Sequence, residues 1–268
     1  TDMKIRIITM EDPLYTLDFF KEIIKSRYQD ITGITIAKGG RLKIGKKNSK
    51  IIYLTSLLLI MGPIIFLKNS IKTVFFKIRK KVSVILPLLP SPDLATFAET
   101  YSIPVDYTDN PNAEDYLKKL KAEEPDVIIN QSQFIIKKTL LSIPKIGVLN
   151  RHNALLPKNR GRLTPFWVLF KGEKETGVSI HFVDEGIDSG PIVVQKRFEV
   201  NDKDTFNSVV EKNYQLAAKA MLEALDIVET GKADYIENSD ENATYNSIPT
   251  LREAMAYRKK RVTMGKLS

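Results

Sequence analysis

Apolar and polar residues along the chain change period several times, and each change marks an element. Lys4–Thr9 is an apolar, β-rich run. Asp12-Pro13 then supplies a helix cap with proline at the first helical position, ahead of Leu17, Phe20 and Ile24 at helical spacing. A second strand is expected at Gly33–Ala37. The alternation breaks there and resumes near Pro92, with helices predicted at Pro92–Tyr101 and Asn112–Ala122. Asp126–Asn130 reads as a buried strand, and Ile146–Leu149 as a shorter one that delivers Asn150 at its C-terminal end. Gly177–Val183 and Pro191–Gln195 read as hairpin partners across the Asp184–Gly190 connection. From Thr205 an amphipathic helix carries Phe206, Val209, Val210, Ala217, Met221 and Val228 to a stop at Gly231. Beyond Asp234 the chain turns polar and runs to a basic stretch at Arg258–Arg261.

Alternating strands and helices predict an α/β fold: a doubly wound, mostly parallel, Rossmann-like sheet. In such sheets ligands sit outside the carboxyl ends of the strands, where Asn150 falls. One domain is expected over residues 1–231, interrupted by an insert at 38–82 and followed by a C-terminal extension at 232–268.

Charge singles out the insert. The net charge is +9, yet no Asp or Glu occurs between Ile31 and Pro92, where twelve Lys and Arg residues lie. The basicity therefore belongs to one segment rather than to the whole fold. Within it, Ile51–Leu67 is a charge-free run of 17 residues containing Gly62-Pro63, at the lower limit for a membrane span. A buried helical hairpin broken at Pro63 suits it better, as does a helix pair whose basic flanks and Phe75 and Phe76 rest on an anionic membrane surface. No secretory signal opens the sequence, so a cytoplasmic protein is expected, with peripheral membrane contact through 38–82 as an option.

Composition narrows the chemistry. The absence of cysteine removes disulfides, thiolate catalysis and cysteine-based zinc sites, and two histidines are too few for the usual transition-metal centres. Gly40 to Lys46 has the glycine and lysine spacing of a phosphate-binding loop but fails at Lys47, where Ser or Thr belongs. The first strand leads into Thr9-Met10-Glu11 rather than a glycine-rich turn, which disfavours a dinucleotide.

The informative text is Gly147-Val-Leu-Asn-Arg-His-Asn-Ala-Leu-Leu-Pro-Lys-Asn-Arg-Gly161, with Thr176-Gly-Val and Asp184-Glu-Gly-Ile-Asp-Ser-Gly-Pro191 downstream. Asn150 and His152 are two apart, so extended backbone would turn both side chains to one face. Asp188, in a glycine-bounded loop, can reach that face, hold the imidazole by a hydrogen bond and favour its charged form. An amide donor, an imidazole and a carboxylate without a Ser, Thr or Cys nucleophile suit direct attack of an external amine on a carbonyl carbon. Asn150 would stabilise the developing oxyanion, with His152 and Asp188 handling the proton. Each of these residues alone has an ordinary structural explanation; their combination carries the reading.

The motifs Asn150-x-His152, Leu155-Leu-Pro-x-x-Arg-Gly161, Thr176-Gly-Val and Asp184-Glu-Gly-Ile-Asp-Ser-Gly-Pro-Ile192, in this order, resemble the signature of formyltransferases that use 10-formyltetrahydrofolate. The close match covers about 50 residues, with a looser one from Asp93 to Gly231. The resemblance implies the formyltransferase fold and puts the family's catalytic Asn, His and Asp on Asn150, His152 and Asp188. It also implies a pterin pocket between Phe134, Ile135 and Ile136 and the loop residues Asp184, Glu185, Gly186 and Ile187, with no metal. Asn153-Ala154 departs from the usual Pro-Ser pair, which bears on the acceptor loop. His181 is expected as a buried supporting residue, and Arg160 as either an acceptor-phosphate contact or an anchor for its own loop.

Three acceptors fit: the primary amine of a nucleotide-linked amino sugar, the amino acid on initiator tRNA, and water. Only 37 residues follow Gly231, too few for the oligonucleotide-binding β-barrel of tRNA-specific members, although the basic insert offers tRNA another surface. The amino sugar is the favoured expectation. Outside enzymology, the remaining reading is an inactive membrane- or nucleic-acid-binding relative.

Overall fold

A computed structural model describes residues 3–38, 50–86, 88–231, 234–263 and 265. The phosphate-loop-like stretch at 40–46 lies outside these residues. The N-terminal half holds β1 (Ile5–Thr9), α1 (Thr16–Arg27), β2 (Ile31–Ala37), α2 (Lys50–Met61), α3 (Pro63–Ile85), α4 (Leu94–Glu99), β3 (Val105–Thr108), α5 (Glu114–Glu123) and β4 (Val127–Gln131). Then follow α6 (Lys138–Leu141), β5 (Gly147–His152), β6 (Arg160–Gly161), α7 (Thr164–Lys171), β7 (Glu175–Phe182), β8 (Ile192–Glu199), α8 (Phe206–Thr230), β9 (Tyr245–Asn246) and α9 (Leu251–Thr263).

Seven strands form one sheet in the order β3-β2-β1-β4-β5-β7-β8. The first five are parallel, and β7 and β8 add an antiparallel hairpin at the edge. The order reverses between β1 and β4, so a crevice opens beyond their C-terminal ends. Ile5 and Ile7 point into a core shared with α1, α4 and α8, whereas Ile8 and Ile128 face α5 and α6. The sheet is thus covered on both sides, and the strand alternation expected from sequence is realised. Buried Arg6 crosses β2 to reach Thr35, Asp106 and Glu123, so its charge is paired.

Two expectations change. Asp12 does not cap α1 directly: its Oδ1 accepts the amides of Leu14 (2.9 Å) and Tyr15 (2.7 Å), holding a separate turn, and the helix begins at Thr16 rather than Pro13. The polar C-terminal extension, for which no element was expected, carries a strand and a helix. β9 pairs with β6, and α9 packs beside α2, burying Ala254 and Tyr257.

The insert forms the hairpin α2–α3, broken at Gly62 (φ 82°) with Pro63 as the first residue of α3. Among the described residues no helix is long and apolar enough to cross a membrane. α2 buries Ile60 in a second core with Phe166 of α7, Phe206 and Val209 of α8 and Tyr257 of α9. α3 buries none of its residues. The hairpin is therefore half anchored: one helix is part of the core and the other lies on the surface.

Phe166 is fully buried, meets Trp167 edge to face, stacks on Phe170 and tilts against Tyr257. Phe166→Ala is expected to cost about 3–5 kcal/mol through lost burial and the cavity left behind. Chemical denaturation will show this as a lower midpoint.

Candidate active site

Strand β5 runs on through His152, so the backbone stays extended across Asn150-Arg151-His152. Asn150 lies opposite His181 of β7 in the ladder, and His152 opposite Ser179. The alternation that sends Asn150 and His152 one way sends Arg151 the other, toward α1 and α8. There its guanidinium sits 4.2 Å from the Tyr214 ring centroid and 5.0 Å from that of Phe19.

Arg151 sets the polarity of the site. Its Nε donates to Gln131 Oε1 at 2.9 Å, and because arginine has no acceptor this fixes which end of the Gln131 amide is oxygen. Gln131 Nε2 is then a donor and gives a hydrogen bond to Asn150 Oδ1 at 2.7 Å. Asn150 Nδ2 is left as the donor on the site side, 3.4 Å from His181 Nε2.

Asp188 lies between two imidazoles. Its Oδ2 is 3.4 Å from His152 Nδ1, and its Oδ1 is 3.6 Å from His181 Nε2. Each ring spends its other nitrogen on a backbone carbonyl: His152 Nε2 donates to Asn159 O and His181 Nδ1 to Phe182 O, both at 2.7 Å. The sequence leads one to expect that Asp188 orients His152 by a hydrogen bond. Instead the Asn159 carbonyl orients the ring, and Asp188 Oδ2 takes the Gly161 amide at 2.8 Å. At 3.4 Å the imidazole and carboxylate stand slightly beyond direct bonding. A proton arriving between them would close that gap.

The loop is held from the C-terminal extension. Asp188 has φ 49°, in the left-handed region, and Asn238 Nδ2 donates to the carbonyls of both Asp188 and Gly190 at 2.8 Å. Arg160 Nη2 in turn donates to Asn238 O (2.8 Å) and Oδ1 (2.9 Å), while its Nη1 reaches Asp240 and Tyr245. Fully buried, Arg160 is thus an anchor, and what it holds is the 238–245 segment rather than its own loop. Gly161 (φ 95°) lets the two segments touch: a Cβ there would lie 2.2 Å from Asn246 O.

His181, expected as a supporting residue, is an integral member of the cluster. Burial pushes its pKa down to about 4, against the opposing pull of Asp188. It is therefore neutral at physiological pH, with its proton on Nδ1 and a lone pair on Nε2.

A cleft of about 550 Å³ opens over these groups and is lined by Asn150, His152 and Asp188 together with Gln131, Arg151 and Tyr15. Tyr53, Leu57 and Met61 of α2 form its outer wall. The residues expected around a pterin lie beside this cleft rather than in its lining. Ile136 is buried in the α5–α6 core, Phe134 is half-buried, and Ile135 and Ile187 are exposed. Asp184 ties its own loop through Gly186 N and Ser189 Oγ, and Glu185 pairs with Lys138 at 3.5 Å, linking the two segments. None of these seven lines the cleft. Arg151, Gln131 and Asn238 are the residues that sequence reading missed. Gln131 had a usable signal, because it ends the strand beside β5, whereas Asn238 had none.

The family model described as Formyl transferase matches residues 90–225. The methionyl-tRNA formyltransferase of Thermodesulfovibrio yellowstonii is 35% identical over 144 residues, covering 53% of this chain and 47% of that protein. This chain spans about half the length of the curated relatives it matches. The N-formyltransferase of Helicobacter canadensis in complex with folinic acid and dTDP-3-aminofucose aligns with TM-score 0.57 and 16% identity, covering 91% of this chain and 71% of that one. The phosphoribosylglycinamide formyltransferase of Anaplasma phagocytophilum aligns with TM-score 0.59 and 12% identity, covering 92% and 98%. At such identities the likeness is one of fold.

The unfolded chain protonates His181 near its ordinary pKa of 6.5, whereas the folded protein keeps it neutral down to about 4. Between those values the unfolded state binds more protons, so stability falls as pH drops through that window, by roughly 3 kcal/mol at its lower end. His181→Gln is expected to remove this part of the slope. Denaturation midpoints of both proteins from pH 7 to pH 4.5 will measure it.

Proposed function

This chain belongs to the formyl transferase family, and on that premise we propose that it transfers a formyl group from 10-formyltetrahydrofolate to a primary amine. The observation that carries the reading is the convergence of Asn150, His152 and Asp188 on one cleft, with the Asn150 amide turned so that Nδ2 is its donor, one hydrogen going to His181 Nε2 and the second left for a ligand. The formyl donor supplies an activated carbonyl carbon. Asn150 Nδ2 donates to the carbonyl oxygen as charge develops on it under attack, the step at which a fixed donor counts most. The proton lost by the amine is taken up between His152 Nδ1 and Asp188 Oδ2, the pair left open at 3.4 Å. His181 stays neutral and accepts from Asn150 Nδ2 at 3.4 Å without adding charge beside Asp188. No nucleophilic side chain takes part: the amine attacks directly, the bond from the formyl carbon to the tetrahydrofolate nitrogen then breaks, and the proton held between His152 and Asp188 leaves on that nitrogen. For the pterin, the exposed Ile135 and Ile187 and the backbone of residues 184–187 remain the proposed seat.

For the acceptor we propose an amino sugar joined to a nucleotide. Arg151 lines the cleft and bonds only neutral partners, Gln131, Asn153 and Tyr214; among the described residues it has no carboxylate partner. Its uncompensated charge suits an acceptor phosphate. A second reading, formylation of an aminoacyl-tRNA, is supported by the curated relatives that match at about a third identity.

Asn150→Ala and Asp188→Ala are each expected to lower kcat by about 100-fold or more with little change in donor affinity. Near-normal turnover in both variants refutes the assignment. The acceptor is tested by incubating the protein and 10-formyltetrahydrofolate with a panel of nucleotide amino sugars or charged initiator tRNA. Formate released without any amine indicates hydrolysis, and failure to bind the donor sinks the reading.

Gln131→Leu removes the group that orients Asn150. Turnover is expected to fall by about 10-fold or more, with KM for the amine little changed, because the lost orientation matters only as the oxyanion forms.

A further inference from the structure

Helix α3 has two distinct sides. Facing the protein, Lys80 pairs with Glu11 and with Asp93 at 3.0 Å, and Phe76 packs near Thr9 and Ile36. At about 100° per residue, Ile64, Leu67, Ile71, Val74, Phe75 and Ile78 share one sector of the opposite side. All six are between 54% and 67% exposed. Val84, Ile85, Leu86, Leu88 and Leu89 extend the apolar surface past the end of the helix. Lys68, Lys72 and Arg79 border the sector along one edge, and Lys77 and Lys81 along the other. Across the whole span from Ile31 to Pro92 there is no acidic residue to offset them.

We propose that this face docks on the surface of an anionic bilayer. The apolar sector would lie in the boundary between head groups and acyl chains, with the flanking lysines extended toward anionic head groups. Charge complementarity selects this occupant over a second copy of the chain. In a two-fold dimer the same cationic borders would meet each other, whereas acidic lipid satisfies both edges at once. α3 is too polar along its flanks to insert across the bilayer and too apolar on its outer sector to be left in water without consequence.

The docked orientation bears on the cleft because both belong to one hairpin. α2 walls the cleft with Tyr53, Leu57 and Met61. A second cavity of about 270 Å³, between Lys68, Asn69 and Lys72 of α3 and the start of α8, shares Leu14 and Tyr15 with it and also contains Glu211. Docking α3 therefore sets a membrane against the hairpin whose other helix walls the cleft. The docking itself does not depend on formyl transfer.

Co-sedimentation of the full chain with vesicles tests it. The protein is expected to pellet with phosphatidylglycerol-containing vesicles at low salt, at least ~10-fold more than with pure phosphatidylcholine, and to be released as salt rises. Lys77→Glu/Lys81→Glu and Ile71→Ser/Phe75→Ser should each cut binding by about 10-fold. All four side chains are exposed, so the fold is retained, as circular dichroism will verify. Absence of binding to anionic vesicles at low salt overturns the proposal. So does a solution dimer that dissociates on Ile71→Ser/Phe75→Ser, since a second copy would then be the occupant. Loss of donor binding without loss of vesicle binding would instead count against the formyltransferase reading alone.

Discussion

Arginine can only donate hydrogen bonds, and the polarity of the site depends on that constraint. Arg151 fixes Gln131, which fixes Asn150 and leaves Nδ2 as the donor of a side chain that lines the cleft. Arg160 fixes Asn238, whose amide must present Nδ2 to the carbonyls of Asp188 and Gly190. Amides are symmetric enough in shape to be placed either way round. Here a cation at the far end of each chain leaves one arrangement. Two of the three groups proposed for the chemistry are therefore set in place from a distance.

The sheet explains why these chains can be short. β4 and β5 are parallel neighbours with Asn130 beside Asn150, so Gln131 at the end of β4 is within reach of the Asn150 side chain. The switch from parallel to antiparallel pairing at β7 sets His181 against Asn150 and sends the following loop back over the strand ends with Asp188. A wholly parallel sheet would need a crossover helix there and would carry that loop away. The edge hairpin is thus as necessary to the cluster as β5.

The insert and the C-terminal extension, peripheral in the sequence, both border the site. α2 provides an apolar wall and is held by Phe166, Phe206 and Tyr257, while the 238–246 segment clamps the Asp188 loop through Arg160 and β9. Six of the insert's twelve basic residues, Lys68, Lys72, Lys77, Arg79, Lys80 and Lys81, lie on α3, and none of these six lines the cleft.

Much of the fold was legible in the chain because hydrophobic period reports local geometry directly. The strands around Ile7, Ile129 and Leu149, the long helix from Thr205 to Gly231 and the hairpin around Asp188 all follow from it. Asn150, His152 and Asp188 were legible as a set because their spacing on a strand and a glycine-bounded loop limits where they can point. Pairings between distant segments were not legible. Nothing in the local pattern joins Arg160 to Asn238 or Gln131 to Arg151, and a polar tail gives no sign that it will form β9 and α9. The state of His181 was hidden for the same reason, since its low pKa comes from burial by neighbours far away in sequence. Sequence determined which groups are available and which face each takes; tertiary packing decided how they are oriented, which are charged and what encloses them, because those depend on contacts that exist only once the chain has folded.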